Sequence, residues 1–344
     1  MSMLHASQAA DAPISTGGTP PTASLMRWVA AATLPGIMTM TAFFGLGVLS
    51  NIVLAAAFAF VLESTVLYLR KRPILPALND SSALVTGVLL GASLPPASPW
   101  WLIGVGMVAA VVIAKQLYGG LGQNPFNPAM VGYALLLVSF PAHMTLWAPP
   151  QPLVGESLWA QIMGSLPSEQ IDALSGATPL DAFKQKADEL SATRFWANDP
   201  LPAGTLEAWR MISLAWLAGG ALLLARRIIS WHIPAALLGS LALLAMLFHL
   251  ADANQFASPT FHLLTGATLF GAFFIATDPV SAATSRRGKL LYGAGIGTLI
   301  IVIRNLGGYP DAVAFGVLLM NLCVPLIDLY TVPRPEGHAR GAMR

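Results

Sequence analysis

Charge is scarce in this chain. Only 10% of its 344 residues are Asp, Glu, Lys or Arg, and 55% are hydrophobic. Soluble domains carry about 25% charged residues, so a soluble globular protein is excluded and a polytopic membrane protein is expected. A mean hydropathy of +0.66 agrees. Cysteine is nearly absent, with Cys323 alone in an apolar run. That excludes an intrachain disulfide and a cysteine-ligated iron–sulfur cluster. Redox work by such a chain requires an organic cofactor or an unusual ligand set. The net charge of +2 makes no case for nucleic acid. No Walker motif is present, and the glycines around Gly293 follow no strand, so they form no dinucleotide loop. Any binding of NADH falls to a partner. Residues 1–26 are polar and lack the basic head and apolar core of a signal peptide. They read as a cytoplasmic tail.

Apolar segments dominate what is there. A span takes roughly 20 apolar residues. Ten candidates are visible, at 28–48, 51–69, 82–96, 100–118, 127–146, 208–225, 232–250, 260–277, 289–304 and 311–330. The third is short and stops at Pro95-Pro96. With the amino terminus inside, thirteen of the 18 Lys and Arg residues fall on the inner side and five on the outer. Residues 147–206 are then extracytoplasmic.

The two halves resemble each other. Gly104, Gly106, Lys115 and Gly119 match Gly293, Gly295, Arg304 and Gly308, each 189 positions later. Phe126 to Gly132 resembles Tyr309 to Gly316 with a small gap. Five spans per half is odd, so the second half enters the membrane from the opposite side, which makes inverted repeats. The expected fold is an all-α polytopic membrane protein with about ten transmembrane helices in two inverted five-helix repeats. The expected divisions are a tail 1–27, a first repeat 28–146, a loop 147–206, a second repeat 207–331 and a cytoplasmic tail 332–344.

A loop that long is often functional. It contains Ser175-Gly176-Ala177-Thr178, the form of a site at which a threonine hydroxyl carries FMN as a phosphoester. A structural reading stands beside this one. Thr178-Pro179-Leu180-Asp181 fits a helix start, with Thr178 as N-cap and Pro179 in the first turn, and a short helix over 182–190. The two readings are compatible, because a phosphate on a hydroxyl there meets backbone N–H groups. Gly176 and Ala177 keep the approach open, and Asp172 is placed to orient a metal–nucleotide donor.

Glu63, Asp278 and Asp328 are acids in or beside apolar segments, and Asp328 reads as an end that is solvated or paired with a nearby arginine. Glu63 is in the second span, where a carboxylate is costly and therefore a candidate for an ion path. The alternative is a structural pairing, for which Arg70 lies on the same face. Asp278, beside Pro279, is the second ion-path candidate or a solvated end. Lys115 and Arg304 read as interface anchors. His249, alone at a span end, makes a poor metal ligand.

These features together resemble the D subunits of the Rnf (Rsx) ion-translocating oxidoreductase complexes. The B subunits of sodium-pumping NADH:quinone reductases are related. The resemblance covers nearly the whole chain and rests on Asp172 to Thr178, Gly119 to Met130, Phe274 to Ser281 and Arg304 to Asp311. It implies FMN on Thr178, installed by a separate flavin transferase, with Asp172, Ser175, Gly176 and Ala177 as the rest of the motif. It also implies non-covalent riboflavin, to which no residue here is assigned. The implied setting is a bacterial inner membrane. The implied partners are the NADH-binding, iron–sulfur and second FMN-bearing subunits of a complex that moves Na+ or H+. The chain alone would complete no reaction and holds no catalytic residue of its own. A cofactor-free small-solute channel and a plain membrane scaffold are the alternatives.

Overall fold

A computed structural model describes residues 22–150, 156–164, 176–186, 190–198, 201–309 and 311–332. Asp172, Ser175 and much of the 147–206 loop lie outside the described residues, as do most of both tails. Among those described, the chain is helical. The sole strand-like pairing is an isolated one between Trp147 and Gly176.

Five helices are long and apolar enough to cross a membrane, namely α3 (Gly47–Leu69), α8 (Thr205–Ala225), α9 (His232–Ala251), α12 (Arg286–Leu306) and α13 (Val313–Thr331). Three apolar helices are shorter, α4 (Ser82–Ser93), α5 (Trp100–Gln116) and α6 (Pro128–Ser139). α4 ends where Pro95 and Pro96 forbid another helical turn.

The segment expected at 28–48 is two helices, α1 (Thr22–Ala32) and α2 (Leu34–Phe44). Pro35, in the first turn of α2, has no N–H to continue the ladder. Thr33, at the junction, turns its hydroxyl back to the Ala30 carbonyl at 2.6 Å. The segment expected at 260–277 is broken as well. It consists of α10 (Pro259–Leu264), a bend, and α11 (Thr268–Phe270, continued by a π-helical turn Gly271–Ile275). Gly266 makes the bend with φ +64, a conformation other residues rarely adopt.

Close helix contacts are made over small residues, as expected where packing rather than hydrophobicity joins helices. A Cβ on Gly87 or Gly91 of α4 would lie 2.8 or 2.7 Å from the backbone of α3. On α12, a Cβ on Gly293 or Gly297 would lie 2.5 or 2.2 Å from carbonyl oxygens of α9.

The carboxyl half of α5, Val108–Gln116, is π-helical. That wider turn brings the neighbours Lys115 and Gln116 to one carboxylate. Lys115 Nζ is 2.7 Å from Glu63 Oε1, and Gln116 Nε2 donates to the same oxygen at 2.8 Å. Lys115 also donates to Ser82 Oγ at 2.7 Å. Glu63 and Lys115 are 2% and 1% exposed. The partner of Glu63 is therefore Lys115 of α5, and not Arg70. Nor is Lys115 an interface anchor, since it faces the interior. Arg304 is buried too, and its guanidinium holds Asp311 at 3.0 Å and the His262 carbonyl at 2.9 Å.

Candidate functional site

Thr178 caps a six-residue helix, α7 (Pro179–Lys184). The local sequence accounts for this. Thr178 Oγ accepts the Asp181 backbone N–H at 3.2 Å, and Asp181 Oδ2 accepts the Thr178 N–H at 3.3 Å. This reciprocal pair is a capping box with Asp at the third position. Its third bond bears on chemistry. The Thr178 hydroxyl donates to Asp181 Oδ2 at 2.5 Å. The helix stops at Lys184, short of the span to 190 read from the sequence.

Two of the backbone N–H groups at this helix start are not free for a phosphate. Pro179 has none, and that of Asp181 is already taken by Thr178 Oγ. Ala177 is exposed and Thr178 partly so, which leaves the hydroxyl approachable. A Cβ on Gly176 would make only ordinary contacts, the nearest at 3.5 Å. Gly176 donates its N–H to the Trp147 carbonyl at 2.7 Å, which ties the motif to the helical body.

Burial is the largest influence on Asp181, raising its carboxyl above the usual carboxylate range. The two hydrogen bonds from Thr178 oppose this, and nearby Asp311 adds to it.

α7 is fixed over the body at two points. Leu180, 5% exposed, packs on the bend of the α10–α11 segment, where a Cβ on Gly266 would come 2.4 Å from Leu180 Cδ1. Lys184 Nζ donates to the Arg304 carbonyl at 2.8 Å. The bend is itself braced by Asp311, which accepts the Ala267 N–H at 2.9 Å and holds Arg304.

Below Thr178 lies a cavity of about 300 Å³. Thr178 and Asp181 line it together with Tyr133, Trp147, Trp209 and Trp216. Trp147 and Trp209 lie 5.0 Å apart, and Phe44 meets each edge-on at 5.8 Å. Deeper, Trp216 is 4.4 Å from Phe270 and 5.4 Å from Phe274. Aromatic walls with a few polar groups suit a flat conjugated ring. The volume is at the lower end of the range for small-molecule sites, about 300–1,000 Å³. The residues present therefore fit a flavin hung from Thr178.

Phe274, which touches Trp216 but does not line the first cavity, lines a second one of about 100 Å³ with Ser82, Lys115, Asn124, Asn127 and Asp278. Asp278 accepts Ser281 Oγ at 2.8 Å. The structure thus brings Lys115 and Asp278 to one cavity, while the Glu63 carboxylate stays behind Lys115. The wall residues Tyr133, Trp209 and Trp216 escaped the sequence reading, because aromatic residues in apolar helices carry no mark of facing a cavity. Asp181 was legible as a cap but not as the acceptor of the Thr178 proton.

The NQR2, RnfD, RnfE family model matches residues 13–337. The D subunit of an ion-translocating oxidoreductase complex from Vibrio vulnificus (strain YJ016) is 49% identical over 339 residues, covering 92% of this chain and 96% of the relative. Its counterpart from Yersinia enterocolitica serotype O:8 / biotype 1B is 51% identical over 335 residues, covering 93% and 95%. That of Marinobacter nauticus is 50% identical over 325 residues, covering 92% of each. With the model spanning nearly the whole chain and half the residues shared with these relatives, the chain belongs to the NQR2, RnfD, RnfE family.

Proposed function

We propose that this protein is the membrane subunit of an ion-translocating oxidoreductase complex that carries FMN esterified to Thr178. The relatives' shared name supports the complex. One observation carries the cofactor reading, namely a partly exposed threonine hydroxyl at the mouth of an aromatic cavity. The flavin, once attached, supplies reversible electron uptake. This chain's residues do the rest. Thr178 anchors the phosphate, the Trp147–Trp209–Trp216 walls hold the ring away from water, and Leu180 and Lys184 keep the anchor over the cavity.

Asp181 belongs to the attachment step. Its carboxylate accepts the Thr178 Oγ proton as the oxygen attacks the flavin phosphate of a flavin adenine dinucleotide donor. The Oγ–P bond forms, the pyrophosphate P–O bond breaks, and AMP leaves. A flavin transferase reaches Thr178 past exposed Ala177, and Asp172 and Ser175 complete the motif it reads.

We read the body as two inverted five-helix repeats in a bacterial inner membrane, with both tails cytoplasmic and residues 147–206 periplasmic. The matched pair Lys115 and Arg304 supports the repeat, for each is a buried cation on a buried or half-buried carboxylate. Glu63, with Lys115 and Asp278, is the candidate ion path. Riboflavin is expected beside FMN, but the second cavity, at about 100 Å³, is small for it, and no residue is assigned to it.

The test is in-gel flavin fluorescence of the denatured chain from cells that possess the transferase. Wild type and Thr178→Ser are expected to fluoresce and Thr178→Ala to be dark. Equal fluorescence in Thr178→Ala would sink the anchor.

A further inference from the structure

A third cavity, of about 210 Å³, lies under α7, bounded also by residues 255–262 and the carboxyl end of α12. Its polar lining combines charged and amide side chains. Its charge is what is one-sided: Lys184, Lys186 and Arg304 are cations, Asn305 and Gln255 are amides that both donate and accept, and no Asp or Glu is among the described lining residues. Lys184 gives one hydrogen to the Arg304 carbonyl. The terminal nitrogens of Arg304 serve the His262 carbonyl and Asp311, which leaves Nε without a partner. Asn305 Nδ2 is also unpartnered, as are both ring nitrogens of His262, a residue only 2% exposed.

Buried donors are rarely left unpaired, because the loss of water is then uncompensated. The occupant must therefore bring acceptor oxygens. Two ammonium groups and a guanidinium edge favour those oxygens on an anion. A neutral imidazole adds one N–H donor and one acceptor nitrogen in either tautomer. The remaining wall is apolar, with Phe183 and Phe261 5.4 Å apart and the Lys186 ammonium held over the Phe183 ring. A charged floor beside an aromatic rim matches the boundary between a phospholipid headgroup and its hydrocarbon. We propose that this cavity binds a phosphate oxyanion, either the headgroup of an anionic phospholipid or free phosphate. The site shares Leu180 with the Thr178 cavity, but its cations line none of that cavity and the proposal does not rest on the flavin.

Thermal unfolding of the full chain in detergent tests this, followed by tryptophan fluorescence at constant ionic strength. The probes are inorganic phosphate, with chloride as control, and mixed micelles containing phosphatidylglycerol or phosphatidylcholine. Stabilisation by phosphate or phosphatidylglycerol, but not by chloride or phosphatidylcholine, is expected. Protection by phosphatidylglycerol alone identifies the lipid as the source, and equal protection by inorganic phosphate identifies the free anion. Lys184→Gln with Lys186→Gln is expected to raise the half-saturating concentration about tenfold or more. Lys186→Gln alone, which spares the Lys184 bond to Arg304, should raise it less and controls for misfolding. Arg194→Gln, on a short helix outside the cavity, should leave it unchanged. Absence of selective protection in wild type, or protection that survives the double substitution, overturns the site.

Discussion

At the scale of single residues, two short contacts set the chemistry. The bond from the Thr178 hydroxyl to Asp181 places a proton acceptor on the oxygen proposed to carry the flavin. Asp181→Asn keeps the shape and removes the basicity. Flavin incorporation by purified transferase should slow about 10²-fold or more, the usual worth of a positioned base. An unchanged time course would remove Asp181 from the step. Incorporation should also fall as the pH drops through the raised value of Asp181, because the neutral carboxyl no longer accepts a proton. Stability runs the other way. A carboxyl raised by folding contributes fully below its unfolded value, and that contribution is lost as pH rises through the folded value. The second contact is the buried pair of Glu63 and Lys115. Breaking it from one side strands a charge, at a cost of about 3–5 kcal/mol. Glu63→Gln or Lys115→Met should each lower the unfolding midpoint strongly, and the double variant should recover most of the loss. Additive losses in that cycle would mean the pair is not coupled. The cost of Glu63 in an apolar helix was legible in the sequence. Its partner was not, because Lys115 lies 52 positions away, on a separate helix whose carboxyl half is π-helical.

At the scale of elements, the breaks matter more than the helices. Hydropathy located the apolar segments and the stop at Pro95-Pro96, since both are local properties. It could not see the breaks at Thr33 and Gly266, where apolar residues continue on either side. At Gly266 a distant partner satisfies a freed backbone group, since Asp311 accepts the Ala267 N–H, whereas at Thr33 the bonds are local, to Val29 and Ala30. The bend at Gly266 is also the seat of α7, so the placing of Thr178 depends on it. The glycine contacts between α9 and α12 are testable in the same terms. Gly297→Val would force atoms onto a carbonyl 2.2 Å from its Cβ, and overpacking of this kind costs about 1–3 kcal/mol or more. Gly239→Ala, with nothing within 4 Å of its Cβ, should leave the midpoint in detergent unchanged or raise it. Equal losses from both would show that α9 and α12 do not pack through these glycines.

At the scale of the whole molecule, the family was legible because several long motifs stand in order along the chain. The cavity below Thr178 was not, since its walls come from helices far apart in sequence. Orientation is open to direct test. An alkaline phosphatase fused within the 147–206 loop should be active, and a fluorescent protein fused at the carboxyl terminus should mature. The opposite pattern would invert the topology and place Thr178 in the cytoplasm. The flavin anchor is tested most directly by weighing the intact chain from its native host and locating any added mass by fragmentation. A gain equal to one FMN less one water, confined to Thr178, is predicted. An unmodified chain from cells with active transferase, or the same gain on another residue, would contradict it.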